Sequence, residues 1–289
     1  MSKKIIYYSA GLILVLGFCG CSTAGIAIPE KKPVILIAAF GSSYKSGQAN
    51  LNDFDQALVR AFPGYDIRWA FTASFIVNKL HSQGVATVFE RQVKLEGLDE
   101  ALQRLREEGH TKVLIQSLHL MVGAEFREVL EADTSGLNVK YAYPLLFNAE
   151  NIEKVIVALE DEIASSPTAA TVFCAHGNAA HPEYNAQLVE IDNYLRTHYR
   201  NTYLAVMEGN PGFTPVKETI LANGSEKIKF VTFMLTYGDH MSNDVMGAEE
   251  DSMKSQLGLP AECSNGLASH PQIQAAFIDN MRLVLNQFE

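Results

Sequence analysis

The chain predicts an α/β fold of two similar lobes with mainly parallel sheets and a cleft between them. Two observations carry this expectation. Apolar, β-branched runs of strand length alternate with amphipathic segments of helix length, the pattern of strand–helix–strand units. The ends of three such runs also recur at a fixed interval: His176, Glu208 and His240 stand 32 residues apart in succession. That is about one strand–helix crossover, which takes roughly 30 residues or more.

The elements follow in order. Residues 34–40 are apolar at every position, as expected of a parallel strand buried on both faces. Gly41-Ser42-Ser43 turns the chain out of it. Leu51, Phe54, Leu58 and Phe62 have helical spacing within 50–62, and residues 65–71 read as a second strand. A helix over 98–108 ends at Gly109, and strands follow at 112–118 and 139–143. The pattern then restarts. A helix covers 152–163 and is broken by Ser165-Ser166-Pro167. Next come a strand at 170–175, a helix through Leu188, Ile191 and Leu195, strands at 202–207 and 228–235, and a closing helix at 273–288.

The halves read as diverged copies. Phe40-Gly41 matches His176-Gly177, Thr72 matches Glu208, and Lys112 and Lys229 open matching strands, which sets Gly123 against His240. A repeat of this kind assigns 33–148 to an N-terminal lobe and 149–289 to a C-terminal lobe. The second lobe then carries the metal-binding side chains.

Residues 1–27 read as an export signal kept apart from the fold. Lys3 and Lys4 precede an apolar run of about 15 residues, short of the ~20 that span a bilayer. Phe18-Cys19-Gly20-Cys21 resembles a bacterial lipoprotein box, with cleavage before Cys21 and acylation of that cysteine; plain cleavage near Ala27 is the alternative. The protein is therefore expected to be periplasmic or held at the cell envelope by a lipid anchor. The formal net charge of −10 argues against nucleic acid, whose phosphates call for Lys/Arg patches. A homo-oligomer is compatible with the sequence. Cys174 and Cys263 remain in the mature chain; Cys174, in an apolar strand, reads as a buried thiol.

The chemistry-bearing residues lie at strand ends. Parallel strands bring their carboxyl ends to one edge, where sites form. Two imidazoles and a carboxylate meeting there, from His176, Glu208 and His240, make a donor set for a divalent transition metal. Beside His240, Asp239 would either orient the imidazole or cap the helix starting near Met241, and Asn243 or Asp244 reads as a cap. His119 and Glu125 follow the third strand and should reach the same cleft; a structural histidine and a helix-start charge are their plainer readings. Gly41 and Ser42 would cradle an anionic group or simply form a tight turn. Walker, GxGxxG and GxSxG motifs are absent, so phosphate-loop and serine-hydrolase chemistry have no sequence support.

These residues carry a resemblance. His176-Gly177-Asn178, Glu208-Gly209 and above all Gly238-Asp239-His240-Met241-Ser242-Asn243-Asp244-Val245-Met246-Gly247 look like the CbiK-type anaerobic sirohydrochlorin cobaltochelatases. Ala39-Phe40-Gly41-Ser42-Ser43 and residues 116–125 resemble that family's first half. The resemblance covers nearly all of 33–289. It implies a class II chelatase, related to ferrochelatase and a lyase by reaction type, with two flavodoxin-like lobes and no ATP. It further implies Co2+ as substrate metal, with Fe2+ or Ni2+ as alternatives, held by His176, Glu208 and His240, and a tetrapyrrole in the cleft. Phe40, Leu120 and Met121 would line its apolar wall. With the export signal in front, the implied protein is an exported chelatase; a lipid-anchored haem, tetrapyrrole or metal binder without turnover is the alternative.

Overall fold

Six consecutive buried residues start the fold, because a strand in the middle of a parallel sheet meets helices on both faces. This is β1, Val34–Ala39. The computed structural model describes residues 31–288; the export segment and its Cys21 lie outside the described residues.

The first half continues with α1 (Lys45–Ala61), β2 (Ile67–Phe71), α2 (Ser74–Ser82), the short pair β3 (Thr87–Val88) and β4 (Val93–Lys94), α3 (Leu98–Glu107), β5 (Lys112–Leu118), α4 (Ala124–Glu131) and β6 (Asn138–Ala142). The second half contains α5 (Glu150–Val157), β7 (Ala169–Gly177), α6 (Ala186–His198), β8 (Thr202–Glu208), α7 (Phe213–Ala222), β9 (Lys227–Thr232), α8 (Met253–Leu257), β10 (Ala261–Cys263) and α9 (Pro271–Leu285). A π-helical turn, Met241–Val245, follows His240.

Each half builds a four-stranded sheet. The orders are β2-β1-β5-β6 and, read in the matching direction, β8-β7-β9-β10. Every pairing in these two sheets is parallel. The expected α/β class and parallel sheets are therefore present. The strand orders also superpose the halves as the sequence alignment did, β1 on β7, β2 on β8 and β5 on β9.

Three local departures have physical reasons. α1 starts five residues before the expected Asn50, because its first turn is polar and carries no apolar signal; Tyr44 is its extended N-cap residue. The expected helix at 152–163 ends at Val157 and gives way to a 3-10 turn at Glu160–Glu162. The closing helix belongs spatially to the first sheet: α9 packs on β5, β6 and α1. Its Phe277 meets Phe54 of α1 edge-to-face with ring centres 5.6 Å apart, both side chains fully buried. Such a pair adds about 0.5–1.5 kcal/mol beyond the burial itself.

One hydrophobic cluster runs through both halves, from Ile35 and Trp69 to Phe173, Phe233 and Phe277. The described residues from 32 onward accordingly form one compact unit. The junction between 148 and 149 falls just before α5. Cys174 and Cys263 are both free thiols. Burial pushes the Cys174 thiol up well above its ordinary range and the Cys263 thiol up to about 11, so neither is a ready thiolate. No helix among the described residues is long and apolar enough to cross a membrane.

Candidate metal centre

The carboxyl ends of β1, β5 and β7 and the segment after β9 surround a cavity of about 580 Å³. Phe40, Gly41, Ser42, His119, Glu125, His176 and His240 all line it, as do Leu120 and Met121. A smaller depression of about 440 Å³, lined by His81, Lys94, Glu100 and Arg104 among others, shares no residue with it.

β7 delivers His176 because its apolar run is buried through Ala175 and then surfaces. Gly177 makes the turn: its φ is +75°, and a Cβ there would lie 2.1 Å from the Glu208 carbonyl oxygen. Only glycine allows β7 and β8 to close up at this end. The His176 Nδ1–H donates to the Gly177 carbonyl (2.7 Å). His240 follows β9, the sheet neighbour of β7, and stands at the start of the π-helical turn. Its Nδ1–H donates to Asp244 Oδ2 (2.6 Å), one turn along. Each imidazole thus has its Nδ1 hydrogen engaged, which leaves Nε2 as the ring atom available to a metal. The two rings stand 4.5 Å apart, centre to centre, at 85°.

Glu208 is placed differently from the histidines. It ends β8 in register with Gly177, yet its side chain is exposed and does not line the cavity. Its carboxylate makes no hydrogen bond or ion pair with any described residue. Three-membered His/Cys/Asp/Glu clusters of metal-holding geometry are absent among the described residues. The structure therefore brings together two of the three expected donors.

The roles expected beside His240 are rearranged. Asp244, expected as a cap, is the carboxylate that orients the imidazole. Asp239 accepts instead from the Tyr44 hydroxyl and from Asn243 Nδ2. The reason is helical spacing: residues four apart share a face, so 240 meets 244 and 239 meets 243. The hydrogen bond to Asp239 raises the Tyr44 phenol above its ordinary range, keeping it a donor.

In the first half, His119 sits just past β5. Its Nδ1 shares a hydrogen bond with Ser117 Oγ (2.8 Å), while Nε2 is enclosed without a partner. Although the residue as a whole is half-buried, its ring is desolvated, and burial pushes its pKa down to about 4. It is a neutral imidazole at pH 7. Phe40, 41% exposed, meets Phe75 edge-to-face at 5.8 Å, giving the cavity mouth an aromatic lip. Gly41, at φ +97°, and Ser42 lie in the irregular segment between β1 and α1, with Ser42 Oγ accepting from the Tyr44 amide (3.2 Å). His181 lies on an exposed loop beside Glu183.

Asn185 was not singled out from sequence. Buried at the start of α6, it donates to and accepts from the Asn178 backbone (2.9 and 2.8 Å), and its Nδ2 lies 3.5 Å from the Glu208 carbonyl. It ties the loop after His176 to the loop after Glu208. A signal exists in hindsight: Gly177 and Gly209, both at positive φ, bracket the turns that Asn185 spans.

Comparison with known proteins agrees with this architecture. Residues 33–286 match the model of the cobalt chelatase (CbiK) family. The chain is 28% identical over 240 residues to a sirohydrochlorin cobaltochelatase, CbiKC, of Nitratidesulfovibrio vulgaris, covering 80% of this chain and 81% of that protein. It is 27% identical over 270 residues to the sirohydrochlorin cobaltochelatase of Salmonella typhimurium, covering 88% and 97%. Among solved structures, SirB from Bacillus subtilis with Fe3+ superposes with a TM-score of 0.60 at 15% identity, covering 89% of this chain and 97% of that one. CbiX, described as the terminal enzyme of sirohaem biosynthesis in denitrifying bacteria, gives 0.53 at 15% identity, covering 86% and 98%. At that identity the structural likeness establishes the fold, the two-lobed class II chelatase arrangement. The family match spans the cavity, its three histidines and the aromatic lip, and the chain belongs to the CbiK cobalt chelatase family.

Proposed function

We propose that the protein inserts Co2+ into sirohydrochlorin or a closely related tetrapyrrole without ATP. The observation that carries this reading is the pair of adjacent imidazoles lining the cavity, each with Nδ1 tied and Nε2 left for a metal. A metal–nitrogen bond of ~2.1 Å puts an ion about 3.2 Å from each ring centre; at a right angle the centres would then stand about 4.5 Å apart. That matches the separation between His176 and His240.

Glu208 is the third donor in this reading. Its support is an unengaged carboxylate at the end of β8, in register with Gly177. The balance is simple: one divalent cation enters the macrocycle and two pyrrole N–H protons leave, so charge is conserved. His176, His240 or Glu208 takes the first proton as the metal transfers. Imidazole suits this task because its unperturbed pKa lies near ~6.5. Phe40, Leu120 and Met121 supply the apolar wall against which the macrocycle lies. Fe2+ and Ni2+ fit the same nitrogen and oxygen donors. Export, acylation of Cys21 and a cell-envelope location complete the proposal on sequence grounds; mass spectrometry of the membrane fraction for a lipid-modified Cys21 tests them.

The test of function is an absorbance assay of the purified protein with sirohydrochlorin and Co2+, without ATP. Catalytic conversion of the free macrocycle spectrum to that of the cobalt complex is the expected result. Stoichiometric binding without turnover would instead make the protein a tetrapyrrole binder and overturn the chelatase reading.

A further inference from the structure

The segment that bears His240 is fastened from both halves of the molecule: the Leu267 and Ala268 amides donate to the Met234 and Leu235 carbonyls, and the first half holds the stretch that follows. Between β9 and the π-helical turn, residues 233–240 run along the first turns of α1. Ser46 Oγ donates to the Tyr237 carbonyl (2.8 Å), and the Tyr237 amide donates to Asn50 Oδ1 (2.8 Å). Gly47 lets the two segments touch: a Cβ there would lie 3.3 Å from Thr236 Cβ and still closer to Ser42 Oγ. At the cavity end of this seam, the Tyr44 hydroxyl donates to Asp239, and Asn243 Nδ2 bridges Asp239 (2.6 Å) and Tyr44 Oη (3.4 Å).

We propose that Tyr44 is a positioning residue: its hydroxyl, reaching from the first lobe to Asp239 and Asn243, sets the π-helical turn so that His240 faces His176. Two neighbouring four-residue pairs make this mechanical link. Tyr44 fixes the Asp239–Asn243 pair, and the adjacent His240–Asp244 pair rides on the same turn. Tyr44 also lines the cavity, so a macrocycle entering there borders the residue that sets the metal donor. The first lobe thereby controls the geometry of a donor that the second lobe carries.

This inference rests on His240 being a metal donor, and its test is built to separate the two ideas. The full chain and its Tyr44→Phe variant are titrated with Co2+, read by the visible ligand-field absorption, and assayed for sirohydrochlorin turnover. Tyr44→Phe is expected to bind Co2+ about tenfold more weakly, the scale of one lost hydrogen bond to a charged partner. Its Co2+ spectrum should change, and kcat should fall by about tenfold with KM for the macrocycle within about twofold. Asp239→Asn keeps an acceptor oxygen and should retain most of the affinity, whereas Asp239→Ala should match Tyr44→Phe. The double variant Tyr44→Phe/Asp239→Ala should be no worse than Asp239→Ala alone. Thermal unfolding of each variant separates misfolding from mispositioning, and Asp239→Ala stands in should Tyr44→Phe fail to fold. Wild-type Co2+ affinity and spectrum in Tyr44→Phe, or additive losses in the double variant, would overturn the inference. Co2+ binding weakened in the variant while the unaltered protein lacks turnover would uphold it and sink the chelatase reading. Failure of the unaltered protein to bind Co2+ would sink both.

Discussion

The two halves share a strand order and differ at their strand ends. β1 and β7 each run out of the core into an exposed residue followed by a glycine at positive φ: Phe40-Gly41 in one, His176-Gly177 in the other. The backbone solution is the same and the chemistry is not. Next door, the β2 end offers Thr72 where the β8 end offers Glu208. At these two matched positions the first half thus presents an aromatic ring and a hydroxyl where the second presents an imidazole and a carboxylate. In the proposed function, one fold unit used twice separates gripping an organic ligand from holding a cation.

The sharpest way to break this division is to remove the donors. His240→Ala or His176→Ala should lower cobalt insertion by more than about 100-fold, with an unchanged unfolding temperature, since both rings lie at the cavity and outside the core. Normal turnover by His240→Ala would refute the metal-centre assignment. A step smaller, Asp244→Ala frees the His240 Nδ1 and should weaken Co2+ binding by about 10–100-fold, measured by metal titration; affinity equal to the parent would remove Asp244 from the site. Phe40→Ala probes the other half. It should raise KM for the macrocycle by about tenfold, or ~1.4 kcal/mol, and leave Co2+ affinity alone. An equal loss in both would show that the halves do not divide the work.

The last effect, on stability rather than on activity, is a pH dependence. His119 titrates near 4 in the folded protein because its ring is desolvated, against about 6.5 in an unfolded chain. Its contribution to stability is therefore fully present above about pH 6.5 and lost as pH falls toward 4, with a slope of at most ~1.4 kcal/mol per pH unit. Denaturant unfolding at pH 5 and pH 7 should show a smaller difference for His119→Leu than for the parent. An identical difference would show that His119 is no buried neutral imidazole.

Much of the framework was legible in the sequence because buried parallel strands are apolar on both faces and leave unmistakable runs. The segments not read have reasons. α2 carries Phe75, 63% exposed, which spoils its amphipathic pattern, and α4 is only eight residues long. β3 and β4 have two residues each. The strand-end histidines were visible from their interval and their following residues. The links that orient them were less so: Tyr44 and Asp239 are 195 positions apart, and no local pattern announces such a pair. Asp244 was within reach of sequence reasoning. The four-residue step from His240 predicts a shared face once a helical turn is granted, and the preceding Asp239 drew the role by mere adjacency.

The placement of α9 has a consequence for biosynthesis. A ribosome makes the opening strand first, yet Phe277, the partner that seals Phe54, is made almost last. Until the tail emerges, the nascent N-terminal half bears an open greasy flank. Cutting the gene at its apparent midpoint should therefore yield two sticky fragments, each missing a piece the other holds.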